Sequence, residues 1–425
     1  MNKYRIREIG SLKNGLNYSS EHRGKGCKLI GIPDFKNRYL ADYHNLAEVE
    51  DSIVSDSYLL QDNDILLVRS NGNRNLVGRC MLLQNVEERL TYSGFCIRFR
   101  PNTGVLNPLY MLYLLKSPTF RNLFSTTQQT SIANLNQDTL GEIVVDIPSL
   151  PVQETIVAVI HPITEAIELN NQINDNLQAI MSTLYDYWFV QFDFPDENGR
   201  PYKSSGGKMV WSERLNRDLP AGWEVCSIID NPISKPIKPG VVPFQTKTYL
   251  ATADVTGTDI GTGTEIEYDT RESRANMEPS LYSAWFAKMK ASTKHLFLGA
   301  SMMELIDSTI LSTGFQGIQC MENSFEYISA FISTSFFESM KDQLAHGATQ
   351  EAVNNDDLQF IPLTVPDDRT LKSFHDATND VYKMLGRNII ENKCLQSLRD
   401  WLLPMLMNGQ ATVKRQETNY RLSDC

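Results

Sequence analysis

The sequence predicts an α+β chain in which two mixed α/β domains are separated by two long antiparallel coiled-coil helices. The two halves form an internal tandem duplication with pseudo-two-fold symmetry. Three observations predict this: an internal repeat, a heptad rhythm at the end of each copy, and a Gly/Pro-rich stretch between the copies.

The internal repeat decides the architecture. ANLNQDTLGEIVVDIP, ending at Pro148, matches EAVNNDDLQFIPLTVP, ending at Pro366, at an offset of 218 residues. That offset pairs Asn136 with Asn354, Asp138 with Asp356, Leu140 with Leu358 and Ile143 with Ile361. It continues without a gap through Ile163 and Val381, Ile167 and Leu385, and Leu177 and Leu395. Upstream, Tyr4, Ile6 and Ile9 match Trp223, Val225 and Ile228 at an offset of 219. Each copy is therefore expected to open on a short aromatic–apolar strand and to close on a helix.

The closing stretches carry residues spaced alternately four and three. The first reads Ile156, Ile160, Ile163, Ile167, Asn170, Asn174, Leu177, Met181, Leu184 and Trp188. The second reads Phe374, Thr378, Val381, Leu385, Asn388, Asn392, Leu395, Arg399, Leu402 and Leu406. Such spacing lays one stripe along a helix that can pack on a partner helix. Asn170, Asn174, Asn388 and Asn392 interrupt the stripes at matching places. A seam asparagine costs stability but disfavours wrong registers, because its amide needs a polar partner. In an antiparallel pair Asn170 faces Asn392 and Asn174 faces Asn388; the alternative is that these positions face solvent at a bend. Pro162 is expected to kink the first helix, and Arg399, in place of Met181, to weaken the second stripe.

These signals divide the chain into a domain over 1–150, a long helix over 151–190, a linker over 191–219, a second domain over 220–366, a second long helix over 367–408 and a flexible tail over 409–425. The linker assignment follows the Gly, Pro, Ser and charged residues of 191–219.

Composition narrows the function classes. The 425 residues are 41% hydrophobic, enough for two or three cores, and no apolar run is long enough to span a bilayer. Seven scattered cysteines with no CxxC suit reduced thiols in a cytoplasm, not a disulfide framework or a zinc site. Net charge is −11, but it is uneven. Residues 1–150 hold 17 basic against 15 acidic side chains, and 221–365 hold 9 against 18. Only the first domain is locally favourable for a polyanion.

Catalytic motifs fail on inspection. NPLY at 107–110 has one proline where the Asn/Asp-Pro-Pro-Tyr/Phe loop of amino-methyltransferases has two, and no Gly-rich cofactor loop precedes it. Gly207-Lys208-Met209 lacks the spaced glycine and the Ser/Thr of a phosphate loop. The six histidines show no metal spacing. The chain is expected to be no enzyme, to hold no metal and to bind no cofactor.

IPSLPVQETIVAVI at 147–160, LYDYWFVQFDFPDENGRPYKSSGGKMVW at 184–211, LPAGWEV at 219–225 and LQSLRDWLLPMLMNGQATV at 395–413 together resemble the specificity subunit of type I restriction–modification enzymes. The resemblance covers essentially the whole chain, in family order. It implies that the two domains are target recognition domains, each reading one half of a split, asymmetric DNA site. It implies that the long helices set the spacing and dock two methyltransferase (modification) subunits, with restriction subunits joining in the full complex. It places S-adenosylmethionine, ATP and Mg on those partners, with double-stranded DNA as the target and no membrane. Half-sites about one DNA turn apart, roughly 34 Å, fit such a pair of domains.

Candidate DNA contacts are chosen by side-chain chemistry, since Arg suits guanine edges and phosphates and Asn suits adenine edges. In the first domain they are Arg69, Asn71, Asn73, Arg74 and Arg79 after the apolar strand 65–68, and Gln128, Gln129 and Thr130. In the second they are Lys288, Lys290 and Lys294, and His346, Thr349 and Gln350. The alternative is ordinary polar turns and solvated faces. The alternative at the level of function is a non-catalytic coiled-coil scaffold or adaptor whose recognition domains have degenerated.

Overall fold

The structure is a computed structural model. It describes the whole chain except residues 1, 25, 36–37, 72–75, 118–119, 121–134, 348–350 and 412–425. Among the sequence-derived candidates, Asn73, Arg74, Gln128, Gln129, Thr130, Thr349 and Gln350 lie outside the described residues, as does most of the expected tail. The chain divides into two compact units, 1–168 with 395–425, and 169–394.

In the first unit the strands are β1 (Asn2–Arg5), β2 (Gly10–Asn14), β3 (Gly26–Ile30), β4 (Ala47–Glu50), β5 (Ile65–Val68), β6 (Cys80–Leu82), β7 (Leu90–Tyr92), β8 (Cys96–Pro101) and β9 (Val144–Ile147). The helices are α1 (Pro108–Lys116), α2 (Gln137–Glu142) and the start of α3 (Leu150–Tyr185). An antiparallel sheet runs β2-β8-β5-β6, a second runs β4-β3-β7 with β3 and β7 parallel, and β1 pairs with β9. β5 is an unbroken Ile-Leu-Leu-Val run because both of its faces are covered. Ile65 and Leu67 enter one core with Phe99, Tyr110 and Met111, while Leu66 and Val68 enter another with Tyr92 and Ile30. The first core also takes in Ile156, Val157 and Ile160 of α3, and Leu403, Leu406 and Met407 from residues 395–411.

In the second unit the strands are β10 (Met209–Ser212), β11 (Arg217–Pro220), β12 (Glu224–Ser227), β13 (Ser234–Pro236), β14 (Thr246–Leu250), β15 (Val255–Thr256), β16 (Asp259–Ile260), β17 (Thr264–Glu267), β18 (Ala275–Met277), β19 (Ser283–Ala287), β20 (His295–Leu298), β21 (Thr309–Ser312), β22 (Phe315–Cys320) and β23 (Pro362–Val365). The helices are α4 (Met303–Ser308), α5 (Phe325–Ile332), α6 (Ser335–Leu344) and α7 (Asp368–Met407), the last continuing beyond this unit. The sheets run β13-β22-β19-β20 and β17-β14-β21-β18, with β14 and β21 parallel, and β12 pairs with β23. Trp285 on β19 is wholly buried against β22, where a Cβ on Gly317 would sit 2.7 Å from its ring.

The two main sheets repeat the strand order of the first unit, with β18 added at one edge. β2, β8, β5 and β6 correspond to β13, β22, β19 and β20, and β4, β3 and β7 to β17, β14 and β21. Each unit is mixed α and β, and each contains part of both long helices. β9 and β23 keep the offset of 218.

At the amino-terminal strand the register corrects the sequence alignment. The Ile6 N–H donates to Ile143 O and the Ile228 N–H to Ile361 O, both at 3.1 Å, so Ile6 matches Ile228 at an offset of 222, not Val225 at 219. Both isoleucines are buried. A four-residue strand with one or two apolar side chains fits several registers by pattern alone, and only the backbone bonds select one.

Two further expectations are corrected. The 191–219 stretch is not a plain linker. Phe192, Phe194 and Leu219 are buried in the second unit's core, the Phe194 ring stacks at 5.1 Å on Trp223, and β10 and β11 form a hairpin. Arg399 is buried and does not simply weaken its stripe. Its guanidinium lies 4.9 Å from the Tyr39 ring centroid, and its Nε donates to Asp400 at 2.9 Å. Tyr39 in turn donates its N–H to Glu168 at 2.9 Å and carries the Lys116 ammonium 4.3 Å from its ring. A cation over a ring in a desolvated place is a favourable contact. α3 continues through Pro162 to Tyr185 and then makes one π-helical turn, Asp186–Val190.

Within the second unit α3 and α7 run antiparallel through the asparagine layer. Asn170 Nδ2 donates to Asn392 Oδ1 at 3.1 Å, and Asn388 Nδ2 donates to Asn174 Oδ1 at 2.9 Å. Asn392 Nδ2 also donates to Asn171 at 2.7 Å, and Asn170 Nδ2 to Glu391 at 3.2 Å. Asn174 Nδ2 is buried with no partner among the described residues.

Candidate nucleic-acid interface

The loops carrying the sequence-derived candidates occupy equivalent places in the two units. Residues 69–79 join β5 to β6, and 288–294 join β19 to β20. The second loop is four residues shorter, which hides the equivalence in sequence. Strand pairing reveals it: Leu66 opposite Arg98 corresponds to Trp285 opposite Gly317.

Each loop is tied at its first residue. The Arg69 N–H donates to Phe95 O at 2.8 Å, and Arg69 O accepts the N–H of Leu135 at 2.7 Å. The Lys288 N–H donates to Gly314 O at 2.9 Å, and Lys288 O accepts the N–H of Val353 at 3.0 Å. Leu135 and Val353 are 218 apart and Phe95 and Gly314 are 219 apart, so one three-way junction is built twice. It fastens the hairpin loop to the turn before β8 or β22 and to the chain entering the repeat motif. A basic residue stands at the centre of both.

The chemistry around the two junctions differs. Arg69 is half-buried; its Nη1 reaches Gly94 O at a long 3.4 Å, and its Nε has no hydrogen-bond partner among the described residues. Phe95, beside it, is 59% exposed on a turn held by the Gly94 N–H donating to Leu16 O at 2.8 Å. Asn71 and Arg79 are half-buried and engaged in contacts. Phe95 was not singled out from the sequence; its signal is a large aromatic in the Ser-Gly-Phe turn between two strands.

In the second unit most of the expected basic cluster is committed internally. Lys290 pairs with Glu351 at 2.7 Å, and Lys294 donates to Thr252 O at 2.5 Å. His346 is exposed but contacts Leu344 O at 3.1 Å and Asn354 at 2.8 Å. Burial lowers the pKa of both Lys288 and Lys294. Of the three lysines, Lys288 is the one whose ammonium has no acceptor among the described residues. The loop rests on α6, where Lys341, with no exposed surface, donates to Ser292 O at 2.8 Å and pairs with Glu338 at 2.5 Å. His295 meets the same carboxylate at 2.9 Å.

NPLY is a helix start, not a reactive loop. Asn107 caps α1 by accepting from the N–H groups of Leu109 and Tyr110 at 3.0 and 3.2 Å, and Pro108 occupies the first turn, where its missing N–H costs nothing. Among the described residues no group of three His, Cys, Asp or Glu side chains could hold a metal ion, and no helix is long and apolar enough to cross a membrane.

Residues 1–179 match the family model of the type I restriction modification DNA specificity domain. The type I restriction enzyme MjaIX specificity subunit of Methanocaldococcus jannaschii is 24% identical over 332 residues, covering 74% of this chain and 71% of that one. The putative type I restriction enzyme MjaX specificity subunit of the same organism is 20% identical, covering 97% of this chain and 94% of that one. The crystal structure of a type I restriction–modification S subunit from M. genitalium aligns at a TM-score of 0.43 and 13% identity, over 95% of each chain. Over its first 179 residues the chain is thus similar to the type I restriction modification DNA specificity domain.

Proposed function

We infer that this chain is the DNA sequence-specificity subunit of a type I restriction–modification complex and is not itself catalytic. The observation that carries this reading is the doubled junction at Arg69 and Lys288, which gives each unit the same pair of loops around a basic residue. Two such readers on one chain suit a bipartite site. Their different side chains suit unlike half-sites, so the site is asymmetric. The long helices supply the docking surface for two methyltransferase subunits, and restriction subunits complete the assembly. S-adenosylmethionine, ATP and Mg belong to those partners.

A second reading, a scaffold or adaptor with a degenerate second recognition domain, is favoured by one observation. The second domain is acidic, and Lys290 and Lys294 are engaged within it. A gel shift of the chain with its methyltransferase partner, repeated at rising salt, separates the two. A DNA reader loses affinity steeply with salt as phosphate counterions return. Binding that is absent at low salt, or indifferent to salt, supports the scaffold.

A further inference from the structure

We propose that the two equivalent junctions read DNA in chemically different ways: Arg69 with Phe95 discriminates bases in the first half-site, whereas Lys288 with Gly314 contacts phosphate and discriminates little. This inference rests on the proposed function and names the residues through which it acts. The equivalence is fixed by backbone bonds, with Phe95 O and Gly314 O accepting from Arg69 and Lys288, and Leu135 and Val353 donating to them.

What differs is the chemistry on offer. A guanidinium is a planar fork that can hold two acceptors on a guanine edge, whereas an ammonium is a point charge that positions on phosphate. The Arg69 guanidinium is only lightly held: its Nη1 makes one long bond, and its Nε is buried without a partner among the described residues. Phe95 adds an exposed aromatic face on a turn pinned to the same junction. Such a ring makes apolar contact with a thymine methyl or wedges against a base step. At the equivalent point Gly314 offers no side chain at all. A Cβ there would meet Thr252 Cγ2 at 2.8 Å, so any side chain at this point requires Thr252 to shift. Lys288 retains its ammonium, half-buried and without an acceptor among the described residues.

The test uses the full chain in complex with its methyltransferase subunits, first to map the methylated site. Competition binding then compares that site with DNA changed one base pair at a time in each half-site, for wild type, Arg69→Lys, Phe95→Ala, Phe95→Leu and Lys288→Ala. Thermal melting of each complex checks that the fold is kept; Arg69→Lys and Phe95→Leu retain most of the side-chain volume if the others do not fold. Arg69→Lys and the Phe95 variants are expected to cut discrimination at one or two base pairs of one half-site by on the order of tenfold, with the other half-site unchanged. Lys288→Ala is expected to weaken all DNA about equally and to lower the salt dependence by about one unit of slope. Discrimination that is unchanged by Arg69→Lys and Phe95→Leu in a wild-type complex that does read a split site overturns this inference and leaves the proposed function standing. So does a loss of base preference in the other half-site on Lys288→Ala. A wild-type complex with no split-site preference overturns the proposed function itself.

Discussion

Glu338 seats the 288–294 loop through His295 and Lys341, and its titration ties loop geometry to pH. Burial alone would raise its pKa, but the hydrogen bonds from His295 and Lys341 outweigh burial and hold the carboxyl below its ordinary value. A carboxylate with a lowered folded pKa contributes stability that is complete above the unfolded value of about 4.3 and is lost as pH falls through the folded one. Glu338→Gln should therefore flatten the fall in stability below about pH 4.3. At pH 7 it should cost about 3 kcal/mol, because among the described residues the buried Lys341 keeps only Asp342, at 3.8 Å, as a counter-charge. Chemical denaturation at pH 7 and pH 4 checks both; an unchanged stability at pH 7 would contradict the assignment. Arg399 makes a second residue-level case. Arg399→Ala should lower the stability of the first unit by on the order of 2 kcal/mol, since it removes the cation from the Tyr39 ring and leaves a cavity. Arg399→Met, which puts the counterpart residue Met181 in its place, should lose less. Equal losses in thermal unfolding would mean that volume plays no part.

At the scale of the helices, the asparagine layer is where sequence and structure meet most directly. Two stripes of known period, interrupted at matching places, allow one antiparallel register, and the amides of Asn170, Asn174, Asn388 and Asn392 meet in it. The participation of Asn171 and Glu391 was not legible, because neither lies on the four-and-three stripe. Asn174 Nδ2 is buried with no partner among the described residues, a net cost to this layer, so replacing all four of Asn170, Asn174, Asn388 and Asn392 with Leu should raise the unfolding free energy by about 1–2 kcal/mol. The same change should loosen register, read as disulfide crosslinking between cysteines introduced at more than one spacing along α3 and α7. A stabilised pair that still crosslinks at a single spacing would show that the asparagines do not set register. The 191–219 stretch was misread for a physical reason: its Gly, Pro and charged residues announce turns, and turns they are. Phe192 and Phe194, however, carry enough apolar surface to fold those turns onto the core around Trp223.

For the whole molecule, the duplication and the α+β class were legible because a long ungapped repeat constrains every element it touches. The equivalence of the two junction loops was not. Residues 69–79 and 288–294 differ in length and composition, and only strand register and the junction bonds align them. The proposed base contacts are not legible in the sequence for a different reason: side-chain type alone does not fix which base edge it meets. If the helices act as a ruler between half-sites, inserting four residues into each adds about 6 Å at 1.5 Å per residue. The preferred spacer should then lengthen by about two base pairs at roughly 3.4 Å per step. An unchanged spacer would rule that out.

Whether this chain chooses the DNA site is tested by expressing it with its methyltransferase subunits and sequencing the DNA for methylated bases. One split, asymmetric motif that disappears when this chain is omitted is the expected result. Methylation at a continuous motif, or methylation unchanged by omitting the chain, would contradict it.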